Sequence, residues 1–355
     1  MNDQSVPDSD TPQFRILSLD GGGIRGAFTA AFLAAVEKHL GCRICDHFDL
    51  VAGTSTGGII AAAIAAGIPA DRIVQFYRER GPQIFRRPKR QKSIWGRLRA
   101  RLFARILARA GVDDDWLWSP KYDATALRTA LEDVFAHRTM DSLDCCRAVI
   151  PSVDLTKGQT VVFKTPHLPG LSRDRGLRVV DVLLATTAAP TYFPHAKLGI
   201  GSAYVDGGLW ANNPTMVAIA EALCIANKCN RPSVDPVVNL DAINVLSVGT
   251  GRTPFFARPP DGGGGIAWWL PPLIEVTSWS QSQGVHFQSG YVLGDRYRRV
   301  DFDVPGGSWK LDAVEVVDQL IHIGSEKAVE RLGEIRRFFE QRKCDQYVAF
   351  ASNEI

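Results

Sequence analysis

Two glycine-rich turns near the start of the chain constrain its fold more than any other feature. The first is Asp20-Gly21-Gly22-Gly23-Ile24-Arg25-Gly26 and the second is Gly53-Thr54-Ser55-Thr56-Gly57. Each follows a short apolar run, over residues 14–19 and 48–52, and each opens onto helical spacing. In the first helix Phe28, Phe32, Leu33 and Val36 recur at helical intervals. Strand, glycine turn and helix, twice in succession, predict parallel strands joined by crossover helices, and so an α/β sheet.

The second turn is a Gly-x-Ser-x-Gly. Between a strand and a helix such a turn makes a tight nucleophile elbow that lifts the serine hydroxyl clear of the backbone. Gly53 and Gly57 let strand and helix approach closely. The helix N-terminus also favours negative charge developing beside Ser55. Taken alone, the pattern equally describes a tight turn packing an Ala-rich helix over residues 56–66.

The first turn also matches Gly-x-Gly-x-x-Gly, so dinucleotide binding is its rival reading. A dinucleotide unit wants an acidic residue at the end of the second strand. Here that strand ends in the Ser55 turn, and Asp49 lies near its beginning. No Gly-Lys-Ser/Thr follows, which excludes a Walker loop. The better reading makes the turn a source of bare backbone N–H groups. Those of Gly22 and Gly23 would face an oxyanion beside Ser55, each donor worth about 3 kcal/mol in the transition state.

A serine nucleophile needs a base. Asp206-Gly207-Gly208 ends a short strand expected over 203–205, and the two glycines leave the carboxylate uncrowded. A histidine is the alternative, as in the usual triad. His195 and His286, both expected in loops, are the residues available, and neither has a distinctive context.

Further strands are expected over 147–153, 160–163 and 243–248, and helices over 71–80, 124–135, 180–189 and 215–227. Asn213 and Pro214 supply the N-cap and first-turn proline of the last of these. Two C-terminal helices are expected over 311–323 and 326–340. Residues 258–279 carry four consecutive glycines, four prolines and the tryptophans 268, 269 and 279. They read as a loop or gate.

Charge is distributed unevenly. The net charge is only +3, yet between residues 80 and 112 there are eleven Lys/Arg and no Asp/Glu. Within this block residues 94–110 read as a basic amphipathic helix. Trp95, Leu98, Leu102 and Ile106 share one face, and Arg97, Arg101 and Arg105 lie largely opposite. No nucleic-acid motif accompanies the block, so no DNA partner is expected. The sequence has no apolar run of about 18 residues, so no membrane-spanning helix is expected. Seven cysteines, an odd number, with no recognisable export signal, fit free thiols in a reducing cytosol. Cys42-Arg43-Ile44-Cys45 lacks the further ligands a metal site needs, so no metal is expected.

Asp-Gly-Gly-Gly-x-Arg-Gly, Gly-x-Ser-x-Gly and Asp-Gly-Gly, in that order, resemble the motifs of the patatin-like phospholipases. The stretch Ala185-Thr186-Thr187-Ala188-Ala189-Pro190-Thr191-Tyr192-Phe193-Pro194 is similar to another segment of that family. Asn212-Asn213-Pro214, after Asp206-Gly207-Gly208, is similar to its third block. The likeness runs from about residue 14 to 251. It implies a three-layer α/β/α fold with a mostly parallel central sheet, a nucleophile elbow and helical insertions. It also implies a Ser55–Asp206 dyad, an oxyanion hole from Gly21, Gly22, Gly23, Arg25 and Gly26, and hydrolysis of phospholipid acyl esters without a cofactor.

A narrower likeness, carried by the portion from Asp295-Arg296-Tyr297-Arg298-Arg299-Val300 onward, is to the bacterial patatin-like effectors of CBASS anti-phage defence. It implies an activating cyclic di- or trinucleotide and attack on the inner membrane by a cytoplasmic enzyme bound peripherally. The cations at Arg97, Arg101 and Arg105 and the rings of Trp268 and Trp269 are the candidate membrane or ligand contacts. The expected organisation is an N-terminal tail (1–13), one domain (14–343) with a basic insertion (84–112) and the 258–279 loop, and a C-terminal tail (344–355). Oligomeric state stays open, a homo-oligomer included. The competing functions are a constitutive lipase or acyltransferase of lipid turnover, and a non-catalytic nucleotide-binding protein.

Overall fold

The computed structural model describes residues 13–88, 119–228, 239–252, 269, 273–305, 309–339, 344, 347, 349 and 350. The expected N-terminal tail up to residue 12, most of the basic insertion including Arg97, Arg101 and Arg105, and Trp268 lie outside the described residues.

The strands are β1 (Phe14–Leu19), β2 (Leu50–Gly53), β3 (Arg147–Asp154), β4 (Gln159–Lys164), β5 (Tyr204–Asp206), β6 (Ile243–Val248) and β7 (Tyr297–Val300). They form one sheet in the order β4-β3-β2-β1-β6-β7, with β5 also paired to β3. β3, β2, β1, β6 and β7 run parallel, and β4 and β5 run antiparallel to β3.

The helices are α1 (Gly26–Leu40), α2 (Thr56–Ala65), α3 (Ala70–Ile84), α4 (Thr125–Phe135), α5 (Val179–Thr186), α6 (Gly208–Ala211), α7 (Thr215–Lys228), α8 (Leu273–Leu293) and α9 (Val317–Ile335). The two-residue period of the strands sorts their side chains into two cores. Leu17, Leu19, Val51, Ile150, Leu246 and Val248 join the core built with α1 to α5 and α9. Phe14, Ile16, Leu50, Ala52, Val149 and Val245 join the core under α7. The result is the expected three-layer α/β/α arrangement. Each fully buried Leu, Ile or Phe stabilises it by about 1.5–3 kcal/mol.

Three expectations are corrected. The C-terminal helices are one helix, α9, preceded by turns at 311–316. Gly324, inside that helix, is a packing position. A Cβ there would lie 2.4 Å from the carbonyl oxygen of Phe28, so α9 and α1 meet backbone to backbone. The loop expected over 258–279 ends early, because residues from Leu273 onward belong to α8. His286 accordingly sits on α8. Tyr297–Val300, to which the sequence reading assigned no element, forms the edge strand β7, and its Arg298 and Arg299 hide the apolar alternation.

Inside the expected C-terminal tail, Cys344 donates its N–H to the carbonyl of Asp46 (2.7 Å), and Phe350 donates to Pro166 (3.0 Å). Tyr347 and Phe350 are buried. This end of the sheet, where the parallel strands begin, is packed. The opposite end, where they finish, carries the glycine turns.

Candidate active site

The register of β3 explains how two residues 151 apart in sequence meet. β4 occupies one side of β3 from Val149 to Asp154. On the other side β2 pairs only as far as Ala52 with Val149, and β5 takes over with Asp206 opposite Ser152. β5 runs back toward the end of β2. Asp206 therefore arrives beside the turn that β2 makes at Gly53.

Ser55 Oγ donates to Asp206 Oδ2 at 2.6 Å. The serine sits at φ 54°, ψ −120°, a conformation L-residues rarely adopt and which costs about 1–3 kcal/mol. Ser55 is also the N-cap of α2, where a serine ordinarily binds its own helix. Here its side chain makes no cap bond, so the hydroxyl is left to Asp206. The Ser55 N–H is bound by Thr186 Oγ1 (2.9 Å), which in turn donates to the carbonyl of Pro151 (2.6 Å).

Missing side chains make the turn geometry possible. A Cβ on Gly53 would lie 2.0 Å from the Gly57 carbonyl oxygen, and one on Gly57 would lie 2.2 Å from that of Leu19. Gly207 is pressed equally close to Pro151.

Asp206 is buried. Its other oxygen, Oδ1, accepts the Gly208 N–H at 2.7 Å. No cation pairs with it among the described residues. Burial pushes its carboxyl up to about 6, against the pull of the Ser55 hydroxyl and the Gly208 N–H. A carboxyl in that range is ionised at neutral pH and still close enough to neutrality to hold a proton transiently. His195 is exposed, and His286 points its Nδ1 at the Tyr297 hydroxyl (3.1 Å). Neither histidine is hydrogen-bonded to Ser55.

The first glycine turn lies against this pair. Gly21 approaches Ser55 so closely that a Cβ would stand 3.3 Å from the serine Cβ. The Gly21 N–H donates to the Asn212 carbonyl (3.0 Å), and the Ile24 N–H donates to that of Leu311 (2.8 Å). Between them, the N–H groups of Gly22 and Gly23 have no acceptor among the described residues. Arg25 lines the same space, and burial pulls its guanidinium below the usual range. Gly26 does not reach the cavity. It packs on Thr56 and Tyr77, where a Cβ would clash with both hydroxyls.

Asp20, at the head of the turn, is held by Arg299 from β7 (2.7 and 3.2 Å), which also grips Asp301 (2.9 Å) and Ser247 (2.8 Å). Asp49 lies at the other end of the sheet, bound to the Arg15 N–H (2.7 Å). The arrangement of a dinucleotide site is therefore not present.

Ser55 opens into a cavity of about 1060 Å³. Its lining includes the apolar side chains of Ile59, Phe76, Ile84, Phe85, Leu127 and Phe193 and the charged ones of Arg25, Arg252, Lys310 and Glu275. α8 forms one wall through Leu273, Ser278, Trp279, Ser282 and His286. It is fastened to the Asp206 loop by polar bonds. Asn212 Nδ2 donates to Ser282 Oγ (2.9 Å), the Asn213 N–H donates to Gln281 Oε1 (2.9 Å), and Gln281 Nε2 returns a bond to the Asn213 carbonyl (3.3 Å).

The sequence reading missed Thr186, Thr250, Asn212, Arg299 and the α8 contacts. Thr186 and Asn212 stood inside quoted motifs. Thr250, whose Oγ1 donates to the Gly21 carbonyl (2.8 Å), stood in the turn that closes β6. Arg299 and α8 carried no signal, because their partners are far away in sequence. Trp269 is partly exposed and is not among the residues lining the cavity.

Fold and site together describe a three-layer α/β/α enzyme with a serine turn at the carboxyl end of a mostly parallel sheet. The family model of the patatin-like phospholipases matches residues 17–219, and the chain belongs to that family. A cGAMP-activated phospholipase of Pseudomonas aeruginosa is 33% identical over 293 residues, covering 82% of this chain and 78% of that protein. One of Vibrio cholerae is 32% identical over 313 residues, covering 82% of each. Among solved structures, the crystal structure of VipD from Legionella pneumophila aligns with a TM-score of 0.42 at 12% identity, over 90% of this chain and 67% of that one. Among the described residues no helix is long and apolar enough to cross a membrane.

Proposed function

We propose that this phospholipase cleaves fatty-acyl esters of membrane phospholipids with Ser55 as nucleophile and Asp206 as its only base. The observation that carries the reading is the 2.6 Å bond from Ser55 Oγ to a buried carboxylate that pairs with no cation among the described residues. Ser55 Oγ attacks the ester carbonyl carbon and its proton passes to Asp206 Oδ2. The N–H groups of Gly22 and Gly23 take the charge that develops on the carbonyl oxygen. Collapse of the tetrahedral intermediate releases the lysophospholipid alcohol, which takes the proton from Asp206. Water then hydrolyses the acyl-enzyme by the same steps in reverse roles. The apolar lining residues would take the acyl chain, and the cations among the lining would meet the phosphate headgroup.

The reading extends to regulation. The relatives named cGAMP-activated phospholipase cover most of the chain, and a cyclic nucleotide is the proposed activator here as well. The enzyme would then act as an anti-phage effector at the inner face of the membrane. Leu273 and Trp279, exposed at the rim of the cavity, would meet the lipid surface, and the basic insertion would add attraction to anionic headgroups.

The test is fatty-acid release from vesicles of bacterial phospholipid. It is run with and without cGAMP and a panel of other cyclic di- and trinucleotides, beside Ser55→Ala. Release that requires one nucleotide and vanishes in the variant supports both parts. Release without any nucleotide removes the switch and leaves the lipase. Release that persists in Ser55→Ala overturns the catalytic assignment.

A further inference from the structure

The glycine turn is held from three sides. Asn212 takes the Gly21 N–H, Thr250 binds the Gly21 carbonyl, and Leu311 takes the Ile24 N–H. These anchors use the donors on either side of Gly22 and Gly23 and leave those two pointing at the cavity. The Leu311 anchor is a backbone contact at close range. Gly23 has φ +57°, and a Cβ on it would lie 2.3 Å from the Leu311 carbonyl oxygen. Leu311 also lies far beyond the part of the chain that the family model matches.

Leu311 is itself placed by its neighbour. The Asp312 side chain is nearly buried. Its Oδ2 accepts from Lys121 Nζ and from the Tyr122 hydroxyl (2.5 Å). Burial works against its charge, but those two donors hold its carboxyl below the ordinary range. Lys121 and Tyr122 are fixed in turn, their N–H groups donating to the carbonyls of Thr191 and Tyr192 (2.8 Å each). That segment follows Ala188, whose carbonyl accepts the Asp206 N–H (3.1 Å). Asp312 does not line the cavity.

We infer that Asp312 is a positioning residue: through the backbone of Leu311 it holds the Gly22 and Gly23 N–H groups in register with Ser55. This rests on the assignment of those two groups to the oxyanion. Asp312 touches neither substrate nor reacting atoms, so removing its charge should disturb the transition state and leave ground-state binding alone. A displaced donor loses part of its contribution, and loss of a whole donor is worth about 100- to 1000-fold in kcat.

The experiment measures kcat and KM of the full chain on a soluble short-chain ester and on phospholipid vesicles, each with and without cGAMP. Phosphonylation of Ser55 by an alkyl fluorophosphonate is timed in parallel. In Asp312→Asn, kcat is expected to fall about tenfold, with a matching loss in phosphonylation rate. KM and the acid midpoint of the pH profile stay in place. Tyr122→Phe removes one of the two donors and keeps the ring. It should give the same pattern at about threefold, and it decides the matter if Asp312→Asn has lost its thermal unfolding transition.

An unchanged kcat in folded variants overturns the inference. So does a raised KM with kcat retained, because Asp312 would then shape the cavity wall through Lys121. Hydrolysis surviving in Ser55→Ala is a separate failure, that of the site assignment itself.

Discussion

The floor and the wall of the cavity are built by different means. The floor is the two glycine turns and the Asp206 loop. Its pieces meet backbone to backbone, at Gly53 with Gly57, Gly57 with Leu19 and Gly207 with Pro151, where no side chain fits. The wall is α8, which is joined to the floor by Ser278, Gln281 and Ser282 through hydrogen bonds. Each such bond has a net worth of about 1 kcal/mol. The floor cannot shift without moving several strands. The wall can separate by exchanging a few bonds for water. Small residues encode the part that must be rigid, and polar ones the part that can release.

Four substitutions or titrations break or sharpen that contrast. Ser55→Ala should have the largest effect, a loss in kcat of at least about 1000-fold on any ester, measured by fatty-acid release.

Gly22→Ala tests the rigidity of the floor. Its new methyl would meet Thr250 Oγ1 at 2.2 Å. We expect kcat to fall about 100-fold with KM little altered. A mild effect would mean that the floor yields after all.

Asp206 gives a pH test. With its carboxyl near 6, kcat/KM should drop about tenfold per pH unit below that value, as protonation removes the base. Stability should move the other way. The unfolded carboxyl titrates near 3.8, so between about pH 4 and 6 the folded state binds the extra proton. Stability attributable to this group is greatest below that window, falls as pH rises through it, and stays low above it. Asp206→Asn removes the penalty. It should be inactive and yet up to about 3 kcal/mol more stable at pH 7–8, an advantage that disappears at pH 3. Denaturant titrations at the two pH values decide it.

The smallest effect belongs to the wall. Gln281→Ala should change KM for vesicles by a few fold, about the worth of one or two hydrogen bonds. It should also speed hydrogen exchange across residues 273–293. Exchange as slow as in the parent protein would make the wall as fixed as the floor.

Much of the floor was legible in the sequence. Ser55, Asp206 and the glycines stand in short motifs whose spacing follows from one local geometry, strand to turn to helix. The parallel α/β sheet followed from the same repetition, and the three-layer arrangement from the likeness to the patatin-like phospholipases. What stayed hidden depended on long-range packing. Glycine has poor intrinsic helix propensity, and the role of Gly324 inside α9 is set by Phe28, almost three hundred residues away. β7 carries Arg298 and Arg299, and Arg299 is inward-facing only because Asp20 and Asp301 await it. α8 is apolar on more than one face, so neither its length nor its partner could be inferred from periodicity. The sequence left the base open between Asp206 and a histidine, and the register of β3 brings Asp206, on β5, beside the turn at the end of β2.

The order of the strands has a practical consequence for dissecting the chain. β1 lies in the middle of the sheet, with β2 on one side and β6 on the other. The family match ends at residue 219, before β6, β7 and α9. A fragment cut there keeps Ser55, Asp206 and every glycine of the motifs. It also turns β1 into an unpaired edge and uncovers the face of α1 on which Gly324 rests. Such an edge recruits other strands, so the fragment is expected to precipitate rather than act as a minimal lipase. The chemistry and the foldable unit have different boundaries in this protein.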